Sequence, residues 1–187
     1  PLDLGDDSAA LDPRVDDLLL RLSPEQKLGQ LFLTFFEGSD VSEDLREMIE
    51  TYHVGGLVLF SAAGNVVDPA QLATLINGAQ EAAVASGGVP LLVAADQEGG
   101  TVVRLRQGFT VSPGNMAVGA TGSTERAYQM AQITAREMKA VGVNCNLAPV
   151  VDVNSNPTNP VIGLRSFGSS PEAVAAQGWS YRGSMVA

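Results

Sequence analysis

Gly55-Gly56-Leu57-Val58-Leu59-Phe60, the helical stretch from Pro69 to Ser86, and Pro90-Leu91-Leu92-Val93-Ala94-Ala95 decide the fold. Both short runs are apolar at odd and even positions alike, so each predicts a strand covered on two faces. Between them Leu72, Leu75, Ile76 and Ala79 recur at helical spacing and predict one inward helix face. Strands of this kind separated by a helix belong to a parallel sheet with helices packed against it.

The same alternation extends in both directions. Upstream, Leu31-Phe32-Leu33-Thr34-Phe35-Phe36 is a near-continuous apolar run, and Ser42 to Tyr52 has helical spacing with Leu45, Met48 and Ile49 inward. Downstream, Ser123 to Val141 predicts a helix with Ala127, Met130, Ala131, Thr134 and Met138 aligned. Asn146-Leu147-Ala148-Pro149-Val150-Val151 is a fourth run, and a fourth helix begins at Pro171. Ahead of the first run lies a short amphipathic helix, about Pro13 to Leu22. Ser23-Pro24-Glu25-Gln26 then starts another helix, with Ser23 as cap, Pro24 at the first position and Gln26 completing a capping box. Residues 1–11 are small and acidic and read as a loose terminus. The start at Pro1 reads as a processed or trimmed terminus. The division expected is an extension with a short helix at 1–22 and one α/β domain over 23–187.

Two architectures fit: an open doubly wound sheet, or part of a (β/α)8 barrel. A barrel takes about 250 residues, so four units in 187 residues make about half of one. A half-barrel has two unpaired strand edges and an uncovered inner face. The sheet is therefore open, or further polypeptide completes a barrel.

Composition narrows function. Twenty-one acidic residues against 11 basic give a formal charge of −10 and a pI near 4.4. That argues against nucleic acid or an anionic membrane surface as a partner. No apolar run approaches the roughly 20 residues of a membrane span. A single cysteine excludes an intrachain disulfide. Together with a single histidine it gives no clustered site for a soft metal, and no cofactor is expected. No P-loop or dinucleotide glycine pattern follows any strand, which lowers a nucleotide-binding reading. The location stays open, with export or the cell surface favoured over the cytoplasm.

In parallel α/β folds ligands bind at the C-terminal ends of the strands. After the third run stand Asp96-Gln97-Glu98-Gly99-Gly100 and then Arg104. Carboxylates there accept hydrogen bonds from sugar hydroxyls, and Arg104 donates to ligand oxygens or pairs with an acid. The plainer alternative is a helix-capping Asp96 and a solvated Glu98. After the fourth run come Asp152 and a turn-rich segment from Asn154 to Pro160, leading to Val161-Ile162-Gly163-Leu164-Arg165-Ser166-Phe167-Gly168. A long loop on that face marks function more often than ornament; the alternative is an Arg165 that pins the loop by pairing with Asp152. His53 reads as a capping or surface residue, Cys145 as a small buried hydrophobe, and Trp179 as packing. Glu37 follows the first strand and reads either as facing the site or as an ordinary turn residue.

Taken in order, Lys27-Leu28-Gly29-Gln30-Leu31, Val54 to Phe60, Asp96 to Gly100 with Arg104, Ala148-Pro149-Val150-Val151-Asp152-Val153, and Asn159 to Gly163 with Arg165-Ser166-Phe167-Gly168 resemble the N-terminal barrel domain of glycoside hydrolase family 3. The resemblance runs from about Leu22 to the end. Within the family the loop Pro160 to Gly168 is similar to that of bacterial β-N-acetylglucosaminidases of the NagZ type. The segment usual in β-glucosidases there, Asp-Pro-Arg-Trp-Gly-Arg, is not found.

The resemblance implies removal of terminal β-linked N-acetylglucosamine from peptidoglycan fragments or chitin oligosaccharides. It implies that Asp96, Arg104 and Arg165 contact the sugar, with Asp152 as a further site residue. It also implies a retaining mechanism whose histidine acid/base and aspartate nucleophile follow the fourth helix, so no catalytic residue is assigned in this chain. The expected partners are an N-acetylglucosamine-containing saccharide and the remainder of the barrel. The rival expectations are a non-catalytic sugar-binding or interaction module, a β-glucosidase or phosphorylase of the same family, and, weakest, an open-sheet nucleotide binder.

Overall fold

The computed structural model describes residues 12–185. The loose terminus expected at 1–11 lies outside the described residues. Helix α1 (Pro13–Arg21) is capped by Asp12, whose carboxylate accepts from the Arg14 N–H. Helix α2 (Pro24–Gly29) begins on the predicted capping box: Ser23 Oγ accepts from Gln26 N–H, and Gln26 reaches back to the Ser23 N–H.

Four strands follow at the predicted runs: β1 (Leu33–Phe35), β2 (Gly56–Leu59), β3 (Leu92–Ala95) and, after a hairpin, β6 (Cys145–Asn146). They form one parallel sheet in the order β1-β2-β3-β6. Each strand is the next neighbour of the one before it, as in the first half of a (β/α)8 barrel, and the barrel is not closed. The order has no reversal of the kind a doubly wound sheet contains. Helices α3 (Glu43–Glu50), α4 (Pro69–Ala85) and α6 (Thr124–Ala140) connect successive strands, and α7 (Pro171–Met185) follows the last. Ser42 and Asp68 cap α3 and α4 through their side chains.

The helices cover one face of the sheet. Leu57, Leu59, Val93 and Ala95 pack with Leu45 and Ile49 of α3, with Leu72, Leu75 and Ile76 of α4, and with Met138 of α6. A second cluster joins Val118, Ala127, Met130, Ala131, Phe167, Val174 and Tyr181, seating α7 on α6.

The fourth run departs from expectation. Pairing takes in only Cys145–Asn146, one residue ahead of the predicted start, and the Leu147 N–H still reaches Ala95 O at 3.0 Å. Ala148 and Pro149 follow, joined by a cis peptide. Proline brings no N–H to a ladder, so the remaining apolar residues run on without pairing. Cys145 is half-buried rather than buried. Trp179 is not packed inside: it is 73% exposed, with the Arg182 guanidinium 5.2 Å from its ring. His53 is half-buried with φ +53°. Its Nδ1 is enclosed without a hydrogen-bond partner among the described residues.

Candidate functional site at the strand ends

The strand ends are tied together before any site residue is added. Asn65, fully buried, accepts from Phe60 N–H at 2.9 Å and donates to Phe36 O at 3.0 Å and Gly38 O at 2.9 Å. One side chain thus joins the exits of β1 and β2. Asn146 does the same for β3 and β6, accepting from Gln97 N–H at 3.1 Å. A buried amide with every partner in place holds its loops in one arrangement.

Beyond β3 the chain does not enter a helix. It forms a hairpin of β4 (Gln97–Gly99) and β5 (Val102–Val103), followed by a short helix α5 (Asn115–Gly119). The buried Gln97 side chain staples the hairpin, accepting from Arg104 N–H and Leu105 N–H at 3.0 Å each and donating to Leu105 O at 2.9 Å. Gly99 takes φ +89° and lies against Ser112 and Gly114, where a Cβ has no room. That close approach buries the segment from Gln97 to Gly99.

Asp96 therefore caps no helix. Its Oδ2 accepts from Arg104 Nη2 at 2.8 Å, with both side chains about a quarter exposed. Arg104 lies 5.1 Å above the centre of the Phe60 ring, which meets Phe35 edge-on. The aromatic face beneath the guanidinium adds attraction to the ion pair.

Glu98 is not solvated, and Arg165 does not pair with Asp152. Arg165 Nε and Nη2 donate to the two Glu98 oxygens at 2.9 and 2.8 Å, a bidentate pair whose carboxylate is 4% exposed. Hydrogen bonding to Glu98 holds the Arg165 proton more tightly than usual, against the opposing effect of burial. The Glu98, Asp152 and Asp96 charges add to the hold. Asp96 and Asp152 thus both lie within electrostatic reach of Arg165. Asp152 is itself exposed, and its carbonyl accepts from Ser166 Oγ at 2.5 Å.

The loop carrying Arg165 is anchored on both sides. Asn115 Nδ2 donates to Arg165 O at 2.8 Å. Ser166 and Phe167 are buried, and Phe167 enters the second core. Gly119 lies so close to the Phe167 carbonyl that any Cβ there overlaps it.

The four residues singled out from sequence thus gather at one end of the sheet. Sequence reasoning missed the residues that hold them: Asn65, Gln97, Asn115, Asn146 and Ser166, and the pairing role of Glu98. For Gln97 and Asn146 the available signal was a polar residue directly beside or within an apolar strand, whereas Asn65, Asn115 and Ser166 lie in loops or at a helix start and carried no such signal. Glu37 is exposed beyond β1. Among the described residues no cluster of three or more His, Cys, Asp or Glu is arranged to hold a metal ion. Among them no helix is long and apolar enough to cross a membrane.

Comparison with known proteins places this geometry in context. The family model described as the glycosyl hydrolase family 3 N terminal domain matches residues 23–186. Beta-hexosaminidase A of Pseudoalteromonas piscicida is 44% identical over 140 residues, covering 72% of this chain and 23% of that protein. A beta-N-acetylglucosaminidase/beta-glucosidase of Cellulomonas fimi is 35% identical over 181 residues, 97% of this chain and 30% of that protein. Among solved structures, a glycoside hydrolase family 3 beta-N-acetylglucosaminidase from Paenibacillus sp. str. FPU-7 superposes with a TM-score of 0.86 at 47% identity. That match covers 88% of this chain and 31% of that one. The chain spans from 23% to 31% of the length of these relatives.

Proposed function

The chain belongs to glycosyl hydrolase family 3, matching its N-terminal domain over residues 23–186, and from that premise we propose that the protein hydrolyses terminal β-linked N-acetylglucosamine with retention of configuration. In this reading the chain supplies part of the sugar-binding site, and the nucleophile and acid/base come from polypeptide beyond it. Asp96 accepts hydrogen bonds from sugar hydroxyls, and Arg104 and Arg165 donate to sugar oxygens. Asp152 stands at the same rim. The division into an extension over 1–22 and a half-barrel over 23–187 belongs to the same proposal. Peptidoglycan fragments and chitin oligosaccharides are the substrates that fit it.

The observation that carries the reading is the pair of arginine–carboxylate contacts at the end of β3, Asp96 with Arg104 and Glu98 with Arg165. Neighbouring donors and acceptors fixed at one strand end suit a polyhydroxylated ring, which needs both. A retaining glycosidase needs a nucleophile on one side of the bond that breaks and, on the other, a group that acts first as acid and then as base. Asp96 and Glu98 are each already committed to an arginine, which supports leaving both roles outside this chain.

The remainder of the barrel is the expected partner of the open sheet. A cavity of about 530 Å³ borders β6, lined by Cys145, Asn146, Pro149, Val151, Gly178 and Trp179. In this reading a fifth strand of the barrel would run beside it.

The test is hydrolysis of a chromogenic N-acetyl-β-glucosaminide by the polypeptide carrying this sequence, with the anomeric form of the first product followed by NMR. Release of the β-anomer is expected. A first-formed α-anomer, or no release at all, overturns the reading. The Cellulomonas fimi relative is named for both activities, which supports a second reading as a β-glucosidase. A kcat/KM on the plain β-glucoside equal to or above that on the N-acetyl sugar selects it.

A further inference from the structure

We propose that Glu98 is a positioning residue for the sugar site, holding the Arg165 guanidinium in the one orientation that presents its free N–H groups to the substrate. The inference rests on the reading that the protein takes a terminal N-acetylglucosamine.

A guanidinium has five N–H groups. Nε and Nη2 each spend one on Glu98, at 2.9 and 2.8 Å, and Nη1 spends one on Val161 O at 3.3 Å. Two remain, one on each terminal nitrogen. These are the donors left for a ligand, and the fork with Glu98 sets their direction because guanidinium and carboxylate lie in matching planes.

The backbone side of Arg165 is fixed independently. Asn115 holds its carbonyl, and Ser166 beside it bonds Asp152 O and Gly168 O. With the backbone already held, only the torsions of a long side chain are left for Glu98 to set. Those torsions are worth fixing in advance, since freezing such a side chain on binding otherwise weakens affinity.

Other acids make the choice of partner matter. Asp96 and Asp152 both act on the Arg165 charge. Asp96 is also the proposed acceptor for sugar hydroxyls and already binds Arg104. A guanidinium released from Glu98 has these carboxylates to turn toward, and turning to Asp96 occupies the acceptor the sugar needs. Glu98 prevents this because it is nearly enclosed and takes both donors of the fork. Its partner lies 67 residues away in sequence, so the pair also joins the hairpin after β3 to the loop after β6.

The experiment is a two-residue cycle in the polypeptide carrying this sequence, with kcat, KM and thermal midpoint measured for Glu98→Gln, Arg165→Met and the double variant on a chromogenic N-acetyl-β-glucosaminide. Each single substitution is expected to raise KM by about tenfold and change kcat by less than about threefold. Arg165→Met also lowers the midpoint, because it leaves a carboxylate buried without its partner. Adding Glu98→Gln to Arg165→Met restores the midpoint and leaves KM where Arg165→Met put it. That non-additivity is the signature of one residue acting through the other. A Glu98→Gln enzyme whose KM stays within twofold, or a double variant whose KM is the product of the single effects, overturns the inference. So does a double variant that recovers KM along with the midpoint. If Glu98→Gln does not fold, Glu98→Asp keeps the charge and shortens the reach by one methylene. The same rise in KM is then expected, and an unchanged KM in a folded Glu98→Asp enzyme overturns the inference. A parent with no activity on the substrate overturns the functional reading and this inference with it, whereas an active parent indifferent to Glu98 overturns the inference alone.

Discussion

Leu57 and Leu59 are 2% and 1% exposed, whereas Leu33 and Leu92, in the same four-stranded sheet, are 45% and 55% exposed. The register explains the split. Thr34, Leu57 and Val93 lie abreast on the face under the helices, and Leu33, Gly56 and Leu92 lie abreast on the other. Phe35, two residues beyond Leu33 and on the same side, is 58% exposed. Residue type does not differ between the faces; cover does. An apolar sheet face of this kind left open is a surface awaiting a partner. The proposed remainder of the barrel is that partner.

The largest effect expected from this contrast is on the state of the whole domain. These 187 residues expressed alone should bind a hydrophobic dye such as ANS strongly and unfold with little cooperativity. The polypeptide with its barrel complete should do neither. Fluorescence titration and urea unfolding of both forms read the difference. A non-binding, sharply unfolding chain by itself breaks the comparison, because it means the open face is covered in some other way.

Next come core truncations, which sharpen the contrast face by face. Leu72→Ala, beneath the sheet and fully buried, should cost about 2–5 kcal/mol in any form of the protein that folds. Phe35→Ala, at a site 58% exposed in these 187 residues, should cost about 3–5 kcal/mol in the polypeptide whose barrel closes over it. A cost below about 1 kcal/mol there would mean that its face is never covered.

This contrast also marks how far the sequence could be read. Runs apolar on both sides announced strands with two buried faces, and the spacing of Leu45, Ile49, Leu72, Leu75 and Ile76 announced the helices beneath them. Nothing in a run says whether both covers come from the same stretch of chain. The fourth run was read too long for a related reason. Pairing is a property of two strands, and Leu147 to Val151 meet a proline and no neighbour on their outer side among the described residues. The gathering of the candidate residues at one end of the sheet was legible, and their pairings were not. Strand ends located Asp96, Arg104, Asp152 and Arg165. The Glu98–Arg165 pair depends on a hairpin folded tight by Gly99 and Gly114, and no local pattern encodes a partner that distant.

A smaller effect comes from the covered face at the last strand. Asn146 shares the register of Leu59 and Ala95 on that face, and Tyr181 of α7 lies over it, with Asn146 Nδ2 3.4 Å from the phenol oxygen. Burial pushes the Tyr181 phenol up to about 12, with its hydrogen bonds to Thr134 and Asn146 opposing the rise. An unfolded tyrosine loses its proton near 10. Between those values the folded chain holds a proton that the unfolded chain has released. The resulting stability is complete below pH 10 and drains away as pH rises toward 12, by about 3 kcal/mol in all. Urea midpoints measured from pH 9 to 11.5 should fall more steeply for the parent than for Tyr181→Phe. Parallel slopes would place Tyr181 in water and weaken the claim that α7 covers β6.

The smallest effect is also the most local form of the same comparison. Leu45 and Arg46 are adjacent on α3, one fully buried and the other reaching over solvent to Glu50 at 3.3 Å. An exposed pair at this helical spacing contributes about 0.3–0.5 kcal/mol, and salt screens it. Arg46→Ala should therefore shift the unfolding free energy by no more than about 0.5 kcal/mol, and by less still in 1 M salt. Leu45→Ala, one residue away, should cost about 2–5 kcal/mol at either ionic strength. Both substitutions leave alanine on the same helix, so propensity hardly separates them. What separates them is whether the side chain meets the sheet or water, the same distinction that divides Leu57 from Leu92. A large, salt-insensitive loss at Arg46 would show that cover on this helix extends beyond the face that meets the sheet.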